Sequence, residues 1–396
     1  MLNLPKNIWV MSAVMALSFG SSSMMVLIAG LIGAKLAPTA AMATLPYAVV
    51  VIGTASASIP AALLMQRVGR KRGVTISLSM AIGAAVLAAY AVSAGNFWLF
   101  VFAAFLLGAN ASFAQQGRFI ILENAVGAKQ QADGLTLALL ANLTAAFLGP
   151  WMGQYGQRLF TNSADFTGSF VLLVCILCSA LLLLTQYTEQ AKPITIESST
   201  GRPLLSIIRQ PSFLVAAGSA GFGFGIMAVV MTATPVSMHE LEGHAVNHAA
   251  WVIQAHIIAM FLPSLLTGRL LKRGLSTSLL FAGLACYLIM CTVAYSGQEV
   301  MHYWWALVVL GLGWNFLFMT STAQLGLSHT PEEKVQACND FLVFGVQAMA
   351  AFSAGWLLFK YGWSGVINVA VAMTLFWLIC LVVLSQKQRK SVVVQN

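Results

Sequence analysis

Apolar runs of about 20 residues recur from one end of this chain to the other, and no polar stretch between them is long enough to fold as a domain of its own. A helix rises ~1.5 Å per residue, so about 20 residues cross the ~30 Å hydrocarbon core of a bilayer. Inside that core every backbone N–H and C=O must be bonded within the segment, which leaves helices as the element such runs form. We read twelve spans, at about 8–33, 42–65, 74–94, 98–124, 134–155, 167–187, 211–237, 248–268, 275–295, 303–327, 337–358 and 363–384. The composition agrees: 59% hydrophobic and 8% charged residues with a mean hydropathy of +0.85 describe an all-α integral membrane protein.

The basic residues orient the spans. With the N-terminus inside, Lys6, Arg67, Arg70, Lys71, Arg72, Lys129, Lys192, Arg202, Arg209, Arg269, Lys272, Arg273, Lys334, Lys387, Arg389 and Lys390 fall in inner connections. Only Lys35, Arg158 and Lys360 fall outside, and Arg118 lies within a span. Sixteen against three predicts that both termini are cytoplasmic. The net charge of +9 is then an orientation and lipid-surface effect, with no nucleic acid required. Lys6 before an apolar run resembles a signal peptide, but the alternation of charge keeps that run as the first helix. Six Cys are scattered through apolar segments, and Cys175-x-x-Cys178 has no second pair nearby, so we expect small buried hydrophobes.

The two halves repeat at an offset of about 205 residues. Gly108-Ala-Asn-Ala-Ser-Phe113 aligns with Gly313-Trp-Asn-Phe-Leu-Phe318, and Lys129-Gln-Gln-Ala132 aligns with Lys334-Val-Gln-Ala337. We therefore expect a six-helix bundle over 1–187, a cytoplasmic linker over 188–210 and a second six-helix bundle over 211–396. Two such units with a binding centre between them work by alternating access.

One stretch concentrates possible metal ligands. Met227 and Met231 share a helix face at a spacing of four, as do His256 and Met260 on the next span. Counted from the connection between them, all four lie about 6–12 residues deep, near the midplane where transporters bind their substrates. Thioethers with an imidazole form a soft set that suits Cu(I). The alternative is that Met fills core gaps and faces lipid, although an ionisable group in mid-membrane is a functional candidate by default. His239, His244 and His248 in the outer connection either collect a metal ion before the deeper set or belong to a solvated loop.

Other polar residues within spans need partners. Arg118, with Gln115 before it and Glu123 after it, forms either a Glu123–Arg118 pair that takes up a proton during transport or a fixed ion pair at the inner end of helix 4. Asp340 offers a gate carboxylate or a helix N-cap, and we expect the cap there and at Asp133. Trp9, Trp98, Tyr303, Trp304 and Trp363, near span ends, suggest an interfacial belt. Gly221, Gly223, Gly225, Pro235 and Pro263 suit helices that bend.

The layout resembles the major facilitator superfamily over the full length. Gln66-Arg-Val-Gly-Arg-Lys71 is similar to its turn motif G-x-x-x-D-R-x-G-R-K between helices 2 and 3, which assigns Gln66, Arg67, Gly69 and Arg70 to the cytoplasmic gate. The motif's Gly is Ala62 here, and its Asp, which makes a charge contact at that gate, is Gln66. Gly149-Pro150-x-x-Gly153 is similar to the Gly-Pro element of the exporter subgroup. Gly311-Leu-Gly-Trp-Asn-Phe-Leu-Phe318, Val335-Gln-Ala-Cys-Asn-Asp-Phe-Leu-Val-Phe-Gly345 and His256-Ile-Ile-Ala-Met-Phe-Leu-Pro-Ser264 resemble the CcoA-like bacterial transporters. That resemblance implies copper import across the bacterial inner membrane for cbb3-type cytochrome oxidase assembly, with Met227, Met231, His256 and Met260 as the metal ligands. Copper is then substrate, with no permanently bound cofactor, protons as a coupling partner and an unassigned cytoplasmic acceptor.

Because the same subfamily holds a flavin importer, the alternative is import or export of a small organic molecule such as riboflavin, or drug-type export. In that case Gln115, Arg118, Trp314, Asn315 and Phe316 line the cavity, with aromatics and a few polar groups suited to a fused heterocycle. A third alternative is a membrane metal-binding assembly factor that transports nothing. An enzyme is not expected, since no nucleotide-binding loop or hydrolytic grouping is present.

Overall fold

The computed structural model describes residues 4–160, 166–189, 207–328 and 333–395. The described residues are helical almost throughout. The first half holds α1 (Lys6–Leu36), α2 (Leu45–Val68), α3 (Arg70–Ser93), α4 (Phe97–Glu123), α5 (Gly127–Gly156) and α6 (Thr167–Leu184). The second holds α7 (Pro211–Val236), α8 (Val246–Phe261), α9 (Ser264–Lys272), α10 (Ser276–Ser296), α11 (Val300–Ser328) and α12 (Glu333–Gln395). Ten stretches among these are long and apolar enough to cross a membrane. The stretch Val246–Lys272 is a single bent crossing made of α8 and α9. Gly362, at φ 69° and ψ −173°, breaks α12 into two crossings, and a positive φ of this kind favours glycine. With α12 counted as two, the ten stretches make eleven of the twelve crossings that the hydropathy pattern predicts; α5, 30 residues long and packed along α1, is not among them.

Local chemistry explains several boundaries. Asn96 caps α4 by accepting from the Leu99 N–H at 3.0 Å. Pro46 opens α2, where its missing N–H costs nothing. Pro263 interrupts the span of α8 and α9, with Thr267 Oγ1 3.1 Å from the Pro263 carbonyl.

Because the chain alternates direction, the α2–α3 turn, the α4–α5 turn and the end of α6 share one end of the bundle, called the basic end below. The α1–α2 connection, Ser237–Leu241 and Gly362 share the other. The halves meet through α2 against α12, α5 against α8, and α1 against α7. Gly355 N–H donates to Thr44 Oγ1 across this seam at 2.9 Å, at the end away from the basic one. Gly30 meets Val236 there too, leaving a Cβ on Gly30 only 2.8 Å from the valine methyl.

Several expectations are corrected. Helix α5 begins at Gly127 behind Val126, so Asp133 sits in its second turn and is no N-cap. Helix α12 begins at Glu333, which puts Asp340 two turns inside it. In both cases the apolar run starts later than the helix, because the first turns are polar. Tyr303 and Trp363 are 1% and 4% exposed, bonded to Ser237 and to the Ala294 carbonyl, so they are core residues and not part of a belt. Trp9 and Trp98 are exposed as expected. Most of the 188–210 linker lies outside the described residues. The Gly-Pro element of α5 packs tightly against α1, with a Cβ on Gly149 2.5 Å from the Met24 nitrogen.

Candidate functional site

At the basic end, Gly69 closes α2 at φ 93°, and Arg70 starts α3 directly after it. Arg70 clasps Glu123 with two bonds, Nη2 to Oε1 at 2.6 Å and Nε to Oε2 at 3.2 Å. Such a fork is the geometry in which Arg outperforms Lys. Lys71 Nζ donates to the Thr185 and Tyr187 carbonyls, and its backbone N–H donates to Glu189 Oε1 at 3.3 Å. The turn thus ties the ends of α4 and α6 to the start of α3. Gln66 and Arg67 are exposed.

This arrangement overturns the Glu123–Arg118 pairing. Glu123 turns to Arg70, while Arg118 lies on the inward side of α4, its guanidinium over the Phe119 ring at 4.9 Å. Arg118 Nε is buried and has no hydrogen-bond partner among the described residues. The opposite charge it feels belongs to Asp340, on α12 in the other half, and among the described residues no ion pair joins the two. Asn339 Nδ2 donates to Asp340 Oδ1 at 3.2 Å and steadies the carboxylate. Gln115 is half-buried one turn before Arg118.

Next to these charges stands an aromatic cluster drawn from four helices. Phe224 of α7 packs edge-on against Trp314 and Phe318 of α11, with centroids 5.1 and 5.5 Å apart, and lies 6.2 Å from Phe344 of α12. Trp314 stacks on Phe318 at 4.7 Å with 19° between planes, and Phe261 of α8 closes the group at 6.1 Å. The Trp314 N–H is buried without a hydrogen-bond partner among the described residues, an unusual state for an indole. Phe344 follows Asp340 by one turn, so charge pair and cluster are continuous along α12.

Asn315, expected in the cavity, is fully occupied elsewhere. Its Nδ2 donates to the Met260 carbonyl and to Ser264 Oγ, both at 2.7 Å, and its Oδ1 accepts from Thr267 Oγ1 at 2.6 Å. It pins the break between α8 and α9 to α11. Its repeat mate, Asn110, accepts from Ser77 Oγ at 2.7 Å, so both halves keep a buried amide on the fourth helix. The amide nitrogen of Asn110 faces a water-sized cavity lined by Met11, Met15 and Phe113.

The proposed soft ligands are all buried: Met227, Met231, His256 and Met260. His256 lies on the α11 side of α8. Its Nδ1–H donates to the Leu307 carbonyl at 2.8 Å, which fixes the tautomer because a carbonyl only accepts. The lone pair therefore sits on Nε2, enclosed and without a hydrogen-bond partner among the described residues. The outer histidines are occupied differently: His239 Nδ1 donates to the His244 carbonyl and His244 Nε2 to the Gln298 carbonyl, each at 2.9 Å. His248 lies beside His244, ring centroids 6.4 Å apart. Among the described residues no three His, Cys, Asp or Glu side chains converge as a metal group.

With this geometry in view, comparison with known proteins is decisive at the level of family. The profile described as Major Facilitator Superfamily matches residues 10–353. The chain belongs to the major facilitator superfamily. A riboflavin transporter, RfnT, of Brucella anthropi is 34% identical over 363 residues, covering 91% of this chain and 90% of the relative. An uncharacterized MFS-type transporter, YdeG, of Bacillus subtilis is 28% identical over 316 residues, covering 75% and 72%. Among solved structures, a D-xylose–proton symporter superposes with a TM-score of 0.68 at 14% identity, covering 94% of this chain and 97% of the symporter, a likeness of fold alone.

As a superfamily member the chain is a multi-pass membrane transporter and not an enzyme. The superfamily's turn motif is altered in a way the structure makes concrete. Where the motif has Asp this chain has exposed Gln66, and carboxylates from Glu123 and Glu189 serve the turn instead. Glu189 lies so close over Gly69 that a Cβ there would be 2.5 Å from its oxygen, which together with the positive φ explains the glycine. The residues that sequence reading missed are Phe224, Phe261, Phe318 and Phe344. No spacing joins them, because each comes from a different turn or helix.

Proposed function

We propose that the protein carries a flat, fused-ring organic molecule of the flavin type across the membrane by alternating access, with its termini on the cytoplasmic side. The observation that carries this reading is the aromatic cluster around Trp314, joined along α12, through Phe344, to Asp340 one turn away. A stacked indole and edge-on phenyl rings suit a heterocycle's π-face, and polar groups at the edge set its orientation. The kinship with a riboflavin transporter at 34% identity supports the same substrate class.

Radiolabelled riboflavin uptake by cells that cannot synthesise it tests the reading. Uptake should saturate, and Trp314→Ala should lower the apparent affinity by roughly 5- to 150-fold, the equivalent of the ~1–3 kcal/mol that one aromatic–heterocycle stack contributes. Trp314→Phe should retain most of it. Wild-type uptake no greater than that of empty cells rejects the proposal.

Copper import is a second reading, favoured by one observation: the enclosed Nε2 lone pair of His256, unpartnered among the described residues, with its ring fixed through Nδ1. That second bond is what orients a metal-bound imidazole. In this reading Met227, Met231 and Met260 complete a transient set, and the cytochrome oxidase assembly role follows. Copper accumulation measured in the same cells should then vanish in His256→Ala and in a Met227→Ala/Met231→Ala double variant. Accumulation indifferent to both variants removes this reading.

A further inference from the structure

We infer that Arg118 and Asp340 together read an acceptor–donor–acceptor edge of the substrate, the imide edge of a dioxopyrimidine ring, so that specificity resides in that edge. The inference rests on the flavin-type reading above and names the part of the ring that is recognised.

The argument begins with charge. Arg118 of α4 and Asp340 of α12 come from opposite halves and lie within one another's electrostatic reach, and among the described residues no ion pair joins them. Within an apolar bundle, a guanidinium and a carboxylate that stop short of pairing are costly unless something bridges them. An anion between them would be repelled by Asp340, and a cation by Arg118. A neutral group with strong local dipoles suits both. The guanidinium offers donors only and the carboxylate acceptors only, so the bridging group must present C=O toward Arg118 and N–H toward Asp340. An imide does this within one ring edge: two carbonyl oxygens flank one N–H.

The surroundings supply the rest. Arg118 Nε is buried without a partner among the described residues, as a group reserved for a ligand would be. Asp340 Oδ1 is held by Asn339 Nδ2 at 3.2 Å, which orients the carboxylate. One turn along α12, Phe344 begins the aromatic cluster through Phe224, 6.2 Å away, and Trp314, 5.1 Å farther. Asp340 and the aromatic face are therefore joined along α12. Because the edge readers belong to different halves, the ligand would bridge both units that move against each other, which is where a transported substrate must act.

The test compares riboflavin with N3-methylriboflavin, which keeps the rings and ribityl chain and loses only the imide N–H. In cells expressing the full chain, riboflavin should outcompete the methylated analogue for uptake by about tenfold or more, the scale of a charge-assisted hydrogen bond left unmade. Asp340→Ala should reduce that preference to about one while slowing riboflavin itself. Arg118→Lys, which keeps the charge but not the fork, should weaken riboflavin and its analogue alike. Membrane levels of each variant are measured alongside, and the wild-type comparison of the two ligands stands without any variant. Normal riboflavin uptake with no preference over the analogue overturns this inference alone, as does a preference that persists unchanged in Asp340→Ala. Absence of saturable riboflavin uptake in the wild type overturns the flavin reading, and this inference with it.

Discussion

Gly108→Val is expected to leave little folded protein in the membrane. At this point α2 and α4 touch backbone to backbone. A Cβ on Gly108 would overlap the Val50 carbonyl and lie 2.8 Å from Val50 Cα, and a Cβ on Gly53 would overlap the Phe105 carbonyl. Two hydroxyls exploit the closeness: Thr54 Oγ1 donates to the Gly108 carbonyl at 3.0 Å and Ser112 Oγ donates to the Thr54 carbonyl at 2.8 Å. In lipid there is no hydrophobic drive between helices, so such close packing and such bonds are what hold a pair together. Valine would force the helices apart, at about 1–3 kcal/mol for overpacking and roughly 0.6 kcal/mol for each side-chain bond lost. Thermal unfolding of the detergent-solubilised protein, followed by gel filtration, measures this. Gly83→Ala is the control: nothing lies within 4 Å of its Cβ position, and alanine gains about 1 kcal/mol in helix propensity. A monodisperse Gly108→Val protein with the wild-type melting temperature would contradict the helix-seam account.

The parts of this fold that were legible in sequence are those a one-dimensional pattern encodes. Hydropathy located the crossings because each must be apolar for the whole thickness of a bilayer. It misplaced the starts of α5 and α12 because helices continue past the apolar run, and with those starts went the roles of Asp133 and Asp340. Partner choice was not legible. Glu123 is five residues from Arg118 on the same helix, which is not a facing interval, whereas Arg70 reaches it from α3. Periodicity put His256 and Met260 on one face but did not say which neighbour that face meets. The Leu307 carbonyl and the Asn315 amide show that it meets α11. Asn315 was read as a cavity residue because an amide in a span implies a role. Its role is to hold the break at Pro263, where the helix has lost a backbone donor. Of the aromatic cluster only Trp314 was legible, since Phe224, Phe261 and Phe344 join it from other helices and come together only through packing.

The variant with the largest expected effect on transport at unchanged folding is Gly355→Leu. Gly355 sits on the seam between halves, its N–H bonded to Thr44 Oγ1, and a Cβ there would lie 2.8 Å from that oxygen, 3.0 Å from the Ala41 carbonyl and 3.2 Å from the Thr44 nitrogen. None of these atoms belongs to its own half, so each bundle keeps its interior when leucine is introduced. What is lost is the approach of α12 to the α1–α2 connection, and with it the closed state of this end. Alternating access requires that end to close once per cycle, so uptake should fall to background while the protein inserts and melts normally. Gly355→Ala should be intermediate, since a hydroxyl rotates away more readily than a backbone carbonyl shifts. Accessibility gives the direct readout. Val236, 0% exposed and seated against Gly30 at the same seam, is replaced by cysteine and probed with a membrane-impermeant maleimide. Labelling should rise several-fold in the Gly355→Leu background, because a shift of only ~1 kcal/mol in a two-state equilibrium already changes its populations about fivefold. Wild-type uptake together with unchanged labelling would mean that the seam is a resting contact and not the gate through which the substrate passes.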